Sequence, residues 1–481
     1  MDQPVNMQVS ASIPAAERII DEAAIEVALR LDPSERDAVR VRDILAKARE
    51  LKGLDMHEVA VLTAVDDPQL LDELFHTAQT VKEEIYGPRL VLFAPLYVSN
   101  LCRNECLYCA FRVRNEAVRR RTLTQDEIAE EARIIINDGH KRCLLVSGEA
   151  YPQEGFSYIL KAIETIYATK TDRGEIRRIN VNIAPLTVDE FRELKAAHIG
   201  TYQIFQETYH RETYGQVHVW GKKTDYDWRL TAMDRAMEAG IDDVGVGVLF
   251  GLYDWRWELL AMMQHCAHLE RKFGVGPHTV SVPRIEPATN SEFTDEPPHA
   301  VSDSDFRKLV AILRIAVPYT GMILSTRERP EVRKATFALG VSQISAGSRT
   351  NPGGYHDGEL LDDGAGDSCQ FSLGDHRSVD EVVRDIAELG YIPSFCTACY
   401  RLGRTGADFM DLAKPGLIKF HCDPNALSTF VEYAQDYASP ETKAVAQRKI
   451  AEILEKMTPK QRKVAQRLVD KVRIGERDVF V

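Results

Sequence analysis

Eight short apolar segments, each followed by an amphipathic helical pattern, run from Arg89 to about residue 390 of this 481-residue chain. Apolar runs of this length, separated by helices with apolar positions three and four apart, are typical of buried strands alternating with helices. The predicted strands are 89–96, 143–147, 179–183, 201–205, 243–250, 279–285, 322–325 and 343–347. Repeated strand–helix units build parallel sheets, so the pattern predicts an α/β fold, a (βα)8 barrel of the TIM type. A doubly wound open sheet is the alternative.

The rest of the chain divides around this repeat. Residues 1–85 have helical periodicity and predict a helical N-terminal extension, 86–390 the barrel, and 391–481 a C-terminal domain. Capping-box pairs at Thr124, Thr187 and Ser378 mark three of the barrel's helix starts. In a (βα)8 barrel the working residues follow the strands, on the C-terminal face.

Three cysteines follow the first predicted strand: Cys102, Cys106 and Cys109. Thiolates are soft ligands that hold zinc or iron–sulfur clusters, and zinc sites prefer paired C-x2-C units with four protein ligands. Three thiols on one short loop instead suit three corners of a [4Fe-4S] cluster and leave its fourth iron open. A structural zinc loop, or three buried thiols, is the alternative.

The C-x3-C-x2-C spacing, with Tyr108 before the last cysteine, resembles the radical S-adenosylmethionine (SAM) enzymes. In that family the open iron chelates the amino acid end of SAM, and the reduced cluster cleaves SAM to a 5'-deoxyadenosyl radical. The resemblance therefore implies a (βα)8 barrel of the radical SAM family with SAM bound beside this loop.

Composition excludes several other classes. A net charge of −13 argues against a nucleic acid or an anionic membrane as partner. No segment approaches the ~20 apolar residues of a membrane span, and the first residues lack the features of a secretory signal, so we expect a cytoplasmic protein. Six of the nine cysteines fall in two tight groups, which indicates metal binding rather than a disulfide framework.

Polar residues and glycines recur at the ends of successive predicted strands. Each one alone could be an ordinary loop residue, but their recurrence at one face of a barrel indicates a binding site. Those assigned to SAM binding are Ser147, Gly148, Glu149, Asn182, Gln206, Glu207 and Gly247. Tyr97 directly follows the first predicted strand, and Arg327 and Arg329 follow the seventh; these three are the predicted catalytic residues. Either arginine could grip a substrate carboxylate, and the sequence does not choose between them.

A second group of cysteines lies beyond the barrel: Cys396, Cys399 and Cys422. His421 could complete a zinc site of three cysteines and one histidine, but a second iron–sulfur cluster with an open iron fits three thiols better. The helix after the fifth strand carries His265 and His268 on one face. Either could be a packed helix residue or a ligand directed into the barrel.

With both groups in view, residues 85–481 resemble the HydG family, the radical SAM tyrosine lyases of [FeFe]-hydrogenase maturation. FQETYH at 205–210 resembles a motif that this family shares with ThiH, the tyrosine lyase of thiamine synthesis. CTACYRLGRTG at 396–406, together with Cys422, resembles the C-terminal cluster motif that ThiH lacks.

This resemblance implies the chemistry. The radical abstracts hydrogen from the amino group of tyrosine, the Cα–Cβ bond breaks, and p-cresol and dehydroglycine result. At the second [4Fe-4S] cluster dehydroglycine becomes CO and cyanide, on an additional iron bridged by free cysteine and held by a histidine. His265 is the predicted histidine and His268 the second choice. The product would be an Fe(CO)(CN)-cysteine synthon for the hydrogenase active site, which implies an electron donor and hydrogenase maturation proteins as partners.

Two other functions stay open from sequence. One is a ThiH-like 2-iminoacetate synthase, or a lyase for another aromatic amino acid, against which the second cysteine group argues. The other is a non-catalytic iron–sulfur scaffold, which would need no polar pocket at the strand ends.

Overall fold

The computed structural model describes residues 18–32, 37–152, 154–358 and 368–481. Parts of the predicted helical extension, at 1–17 and 33–36, lie outside these ranges. Within the described chain, no helix is long and apolar enough to cross a membrane.

Eight parallel strands form a closed barrel, which confirms the predicted fold. They are β1 (Arg89–Ser99), β2 (Arg142–Ser147), β3 (Arg178–Asn182), β4 (Tyr202–Gln203), β5 (Val244–Gly247), β6 (Thr279–Ser281), β7 (Gly321–Leu324) and β8 (Gln343–Ser345). Each strand pairs with the next in chain order, and β8 returns to β1 with Leu92 opposite Ile344. An open sheet would lack this closing pair, so the doubly wound alternative is wrong.

A ninth strand, β9 (Ile392–Ser394), was not predicted. It pairs parallel with the first residues of β1, with Arg89 opposite Ile392 and Val91 opposite Ser394. The C-terminal segment therefore begins at the N-terminal end of the barrel strands. That is the end opposite the predicted SAM site.

Helices cover the barrel and both extensions. The N-terminal helices are α1 (Glu22–Leu29), α2 (Ala38–Ala48), α3 (Met56–Thr63) and α4 (Pro68–Tyr86). Those of the barrel region are α5 (Gln125–Asn137), α6 (Ser157–Ala168), α7 (Val188–Ala196), α8 (Arg211–Val217), α9 (Tyr226–Leu230), α10 (Ala232–Glu238), α11 (Trp255–Phe273), α12 (Glu292–Asp295), α13 (Asp303–Ala316), α14 (Pro330–Phe337), α15 (Gly354–Asp357) and α16 (Val379–Glu388). The last are α17 (Ala398–Arg401), α18 (Gly406–Ala413), α19 (Lys419–Asp436), α20 (Pro440–Lys456) and α21 (Pro459–Arg473).

Local sequence explains where several helices begin. Reciprocal capping boxes start α5 at Thr124, α7 at Thr187 and α16 at Ser378, as predicted. Each box satisfies two backbone or side-chain donors at the helix start that would otherwise lack partners. These caps fix where the helices begin that come after β1, β3 and β8 in the chain.

Helix α4 ties the extensions to the barrel. Asp67 caps its start, Pro68 occupies its first position, and Gly87 ends it with a φ of 62°. A Cβ at Gly87 would stand 2.8 Å from a carboxylate oxygen of Asp423, so this turn depends on glycine. Asp423 follows Cys422 in α19, so the turn brings the second cysteine group against the start of β1.

Candidate functional site

Two cavities lie at opposite ends of the barrel. The first, of about 180 Å³, is lined by residues at the C-terminal ends of strands together with Cys102, Cys106 and Cys109. The second, of about 60 Å³, is lined by residues at or before the N-terminal ends of strands together with Cys396, Cys399 and Cys422. The structure thus brings each predicted cysteine group together in its own cavity.

The first cysteine loop is held by backbone contacts. Its Glu105–Cys106 segment pairs antiparallel with His218–Trp220, and the backbone N–H of Cys109 donates to Cys106 O at 3.1 Å. Gly148 donates to Ser99 O at 2.8 Å, and a Cβ on it would collide with Leu101 O. Gly148 was predicted to bind SAM. In the structure, its lack of a side chain lets the backbone of the cysteine loop pack against it.

The donor set of this loop fits an iron–sulfur cluster. Three free thiols converge on one cavity, and burial raises the pKa of the Cys102 thiol to about 11. Burial likewise raises the pKa of Cys106 and Cys109. Three soft donors with space beside them match a [4Fe-4S] cluster with one open iron, and iron binding would offset the cost of ionising them.

A buried network of charges forms one wall of this cavity. Arg229 pairs with Glu149 at 2.8 Å and with Glu207 at 3.2 Å, and Lys223 pairs with Glu207 at 2.7 Å. Asn104, from the cysteine loop, donates to Glu149 at 2.8 Å. Sequence reasoning found the two glutamates but missed both cations. The network presents donors and acceptors that suit the carboxylate and amino group of an amino acid.

Glu207 has an unusual backbone, with a φ of 73°. A non-glycine residue in this region costs on the order of 1–3 kcal/mol, and such residues cluster at binding sites. Glu207 follows β4, as the sequence predicted, and in this conformation its carboxylate pairs with Lys223 and Arg229.

On the opposite wall, Tyr97, Arg327 and Glu286 line the cavity. The hydroxyl of Tyr97 donates to the side chain of Gln370 at 2.7 Å. The guanidinium of Arg327 stacks 3.2 Å from the ring centroid of Phe371, and within the described residues it has no carboxylate at ion-pair distance. Burial and the nearby Glu328 raise the pKa of Glu286 to about 7.

Arg329 does not share that wall. It caps the start of α14 at Pro330, its side chain is 64% exposed, and it pairs with Asp303 at 2.9 Å. The helix start directs it outward, so the expectation that Arg327 and Arg329 are equivalent candidates is corrected in favour of Arg327.

Among the predicted SAM-binding residues, Ser147, Gly148, Glu149, Asn182 and Glu207 line the first cavity. Gln206 and Gly247 do not. The Gln206 amide donates to Tyr226 O at 3.5 Å, and a Cβ at Gly247 would stand 2.6 Å from the ring of Phe205. Gly247 therefore makes room for Phe205, and that ring forms the cavity wall in its place.

His265 and His268 lie in neither cavity. The buried His265 shares a hydrogen bond with the Tyr209 hydroxyl at 2.8 Å, and His268 pairs with Asp234 at 2.8 Å. Both belong to the packing of α11 against its neighbours, so the prediction that one of them reaches the second cysteine group is corrected.

His278, immediately before β6, lines the second cavity instead. Its ring lies 4.3 Å from that of Phe409, and its Nδ1 is 3.9 Å from Asp243 and has no hydrogen-bond partner among the residues that the structure describes. Sequence reasoning missed it because only the C-terminal ends of strands were searched. The sequence feature that could have identified His278 is its position just before a strand. That position lies at the same end of the barrel as Cys396, which follows β9.

The three cysteines of the second cavity also fit a cluster. Cys399 donates a hydrogen bond to Cys422, which lowers the pKa of Cys422 and raises that of Cys399; Arg89 and Arg404 further lower the Cys422 value. The thiol most readily ionised thus lies beside positive charge. His421 is absent from the cavity lining, so a zinc site of Cys396, Cys399, Cys422 and His421 lacks support.

Comparison with known proteins agrees with this geometry. Residues 96–266 match the radical SAM superfamily and 281–392 the biotin and thiamin synthesis associated domain. The 2-iminoacetate synthase of Escherichia coli (strain K12) is 33% identical over 324 residues, 67% of this chain and 82% of that protein.

Two solved structures are similar over nearly the whole chain. A crystal structure of HydG, a maturase of the [FeFe]-hydrogenase, aligns with a TM-score of 0.91 at 50% identity, covering 96% of this chain and 100% of that one. HydG from Carboxydothermus hydrogenoformans aligns with a TM-score of 0.81 at 42% identity, covering 94% and 98%.

The fold and the first site define a radical SAM enzyme, a class that uses a [4Fe-4S] cluster and SAM. Within that class the chain belongs to the HydG family.

Proposed function

We propose that this protein is a radical SAM tyrosine lyase. It cleaves tyrosine to p-cresol and dehydroglycine at the first cavity, and it converts the fragment to CO and cyanide at the second. The product carried away is an Fe(CO)(CN)-cysteine synthon for the [FeFe]-hydrogenase active site. The observation that carries the proposal is the pair of cysteine-lined cavities at the two ends of one barrel.

In the first cavity, Cys102, Cys106 and Cys109 would hold the [4Fe-4S] cluster. When bound, this cluster and SAM supply a 5'-deoxyadenosyl radical that removes a hydrogen atom from the substrate. The chain's own residues bind and orient the reactants. Lys223 and Arg229, which line the cavity in pairs with Glu207 and Glu149, would donate to the SAM carboxylate, and Glu149 would accept from its amino group.

Tyrosine would lie against the opposite wall. Among the described residues Arg327 has no carboxylate at ion-pair distance, so its guanidinium would take the substrate carboxylate in a bidentate pair. Glu286, with a pKa raised to about 7, can accept a proton from the substrate near neutral pH. The wall of Tyr97, Phe205 and Phe371 suits an aromatic substrate.

The second cavity would hold the second [4Fe-4S] cluster on Cys396, Cys399 and Cys422, which supplies the metal centre for making CO and cyanide. The extra iron is cargo, brought with free cysteine. We assign its protein ligand to His278, because His278 lines the cavity and His265 does not, although each has a buried ring nitrogen without a partner among the described residues.

The barrel interior supports transfer between the two sites. On β1, Val91 lines the second cavity and Phe93 lines the first. On β8, Gln343 lines the second cavity and Ser345 lines the first. Two residues along a strand span only about 7 Å. Gln203 lines the first cavity and Thr279 lines neither, and each has a buried side-chain oxygen without a partner among the described residues. A fragment could therefore pass inside the protein rather than through solvent.

A second candidate function is that of the relative named 2-iminoacetate synthase, a reaction that would stop after the first cavity. The second cavity argues against it, because that reaction gives Cys396, Cys399 and Cys422 no role.

Anaerobic incubation of the reconstituted protein with SAM, dithionite and tyrosine, assayed for p-cresol and CO, separates these functions. Both products support the proposal. p-Cresol without CO indicates the 2-iminoacetate synthase reaction. Uncleaved SAM under strong reductant would instead indicate the non-catalytic scaffold. We also propose that the protein binds an electron donor and hydrogenase maturation proteins, which binding assays with those proteins would test.

A further inference from the structure

The loop that carries the first cysteine group has exposed side chains as well as its three thiols. Five exposed residues lie on or beside this loop, and we call them the cysteine-loop face: Arg103, Val113, Arg114, Trp220 and Lys222. Trp220 is 51% exposed, which is unusual for a side chain that folded proteins mostly bury. The face therefore combines an exposed apolar surface with three cations.

Backbone contacts hold three of these residues around one short segment of the loop. The N–H of Val113 donates to Asn104 O at 2.8 Å, and the N–H of Arg114 donates to the Glu105 carboxylate at 3.0 Å. Trp220 lies opposite Glu105 in the antiparallel pairing. All three are thus neighbours of the segment between the first two cysteines of the group.

The other two residues join them at the next turn. Gly221 links Trp220 to Lys222, and a Cβ on Gly221 would stand 2.5 Å from Arg103 O. This turn therefore packs directly against Arg103, the residue that follows Cys102. The whole face lies immediately outside the predicted ligands of the first cluster.

Positive charge dominates this part of the chain. Residues 101–123 contain six arginines and two glutamates, a formal charge of +4 in a protein whose net charge is −13. Among the residues that the structure describes, no carboxylate lies at ion-pair distance from Arg103, Arg114 or Lys222. Glu105 is buried and is paired with another arginine of the loop at 3.6 Å. Unpaired cations around an apolar centre suit an acidic protein partner.

The small extent of this face favours a compact partner. At physiological ionic strength charges interact over only about 8 Å, so a small protein docked here meets the local cations rather than the net charge of the whole chain. A nucleic acid or a membrane surface would extend beyond the face onto the acidic remainder of the protein. Position adds a second reason, because electron transfer through protein slows steeply with distance and Arg103 adjoins Cys102.

We propose that the cysteine-loop face docks a small acidic electron-transfer protein that reduces the first cluster. One electron leaves the reduced carrier and enters the cluster, so the carrier departs oxidised. Carboxylates of the carrier pair with Arg103, Arg114 and Lys222, and Trp220 packs beneath it. The inference rests on the part of the proposed function that calls for an electron donor, and it depends neither on tyrosine nor on the second cavity.

The test uses an acidic flavodoxin as the probe and dithionite as a small reductant that needs no docking face. Calorimetric titration of the holoprotein carrying its clusters gives the dissociation constant for flavodoxin, and SAM cleavage is measured with each reductant. Arg114→Glu with Lys222→Glu should raise this dissociation constant by roughly 10-fold or more and slow flavodoxin-driven cleavage at low flavodoxin concentration. Dithionite-driven cleavage should stay within about twofold of the wild type, because exposed charges outside the cavity contribute little to it.

Lys463→Glu with Arg467→Glu is the matched control. Both residues are exposed on α21, which packs against α19 in the C-terminal segment, and the double variant makes the same change in net charge. It should bind flavodoxin within about twofold of the wild type, because the charges lie well beyond a screening length from the face. Trp220→Ala should weaken flavodoxin binding by roughly 10-fold and keep the salt dependence of the wild type, since it removes apolar contact and no charge.

Several results would overturn the inference. One is a wild-type protein that cleaves SAM with dithionite but binds no flavodoxin, including one that binds nucleic acid or anionic vesicles instead. Another is an equal loss of flavodoxin binding in both double variants. Wild-type binding that does not weaken as salt rises would also overturn it, and this measurement holds even if a variant fails to fold.

The proposed function fails separately. SAM cleavage with both reductants but no p-cresol from tyrosine would refute the tyrosine lyase and leave the docking face in place.

Discussion

Replacing Arg327 tests the substrate site most sharply, because Arg329 provides a control two residues away. Arg327 lines the first cavity with no carboxylate of the described residues at ion-pair distance, whereas Arg329 is 64% exposed and pairs with Asp303. A bidentate pair with the tyrosine carboxylate makes two charge-assisted hydrogen bonds, worth about 1.5–3 kcal/mol each. Arg327→Gln should therefore lose about 3–6 kcal/mol of transition-state stabilisation, a fall of roughly 10²- to 10⁴-fold in kcat/KM for p-cresol formation.

Arg329→Gln should change this value by less than about threefold, because exposed ion pairs contribute about 0–1 kcal/mol. The assay is anaerobic p-cresol formation at varied tyrosine and saturating SAM. SAM cleavage without tyrosine should be retained in both variants, which shows that the first cluster is intact. An unchanged kcat/KM in Arg327→Gln, or an equal loss in Arg329→Gln, would refute the assignment.

Three further changes probe other parts of the account. His278→Ala should lose the extra iron of the second site, and His265→Ala should keep it, as measured by EPR and iron content. Both variants should form p-cresol at the wild-type rate. The reverse result would make His265 the iron ligand. Gly148→Ala should place a methyl group against Leu101 O, lower first-cluster iron content and cost about 1–3 kcal/mol of stability, seen as a reduced Tm. Glu286 has a pKa raised to about 7, so the rate of p-cresol formation should rise with pH through that value as the carboxyl becomes able to accept a proton. Glu286→Gln should lose this rise, and a profile like that of the wild type would exclude the role.

The parts of the fold that depend on local sequence were predictable. Strand–helix alternation gave the barrel, and the capping boxes at Thr124 and Thr187 gave helix starts, because these signals lie within a few residues of the structure they specify. β9 was missed because three residues carry too little pattern to be recognised. Its place is set by pairing with β1, which lies about 300 residues earlier.

The site residues likewise fall into those that local sequence reveals and those that depend on distant contacts. Both cysteine groups were evident because their ligands are neighbours in sequence. Lys223 and Arg229 were not, because neither directly follows a predicted strand; both line the first cavity, where they pair with Glu207 and Glu149. The choice of His265 failed because helical periodicity shows that two histidines share a face but not which neighbours that face meets.

The proposal that one chain performs two steps in two cavities is tested most directly by the double variant Cys396→Ala with Cys399→Ala. Its first cavity is unchanged, so it should form p-cresol at a rate within about twofold of the wild type while CO falls below detection. Both products are measured in one anaerobic incubation with SAM, dithionite and tyrosine. Undiminished CO from this variant would contradict the two-cavity scheme.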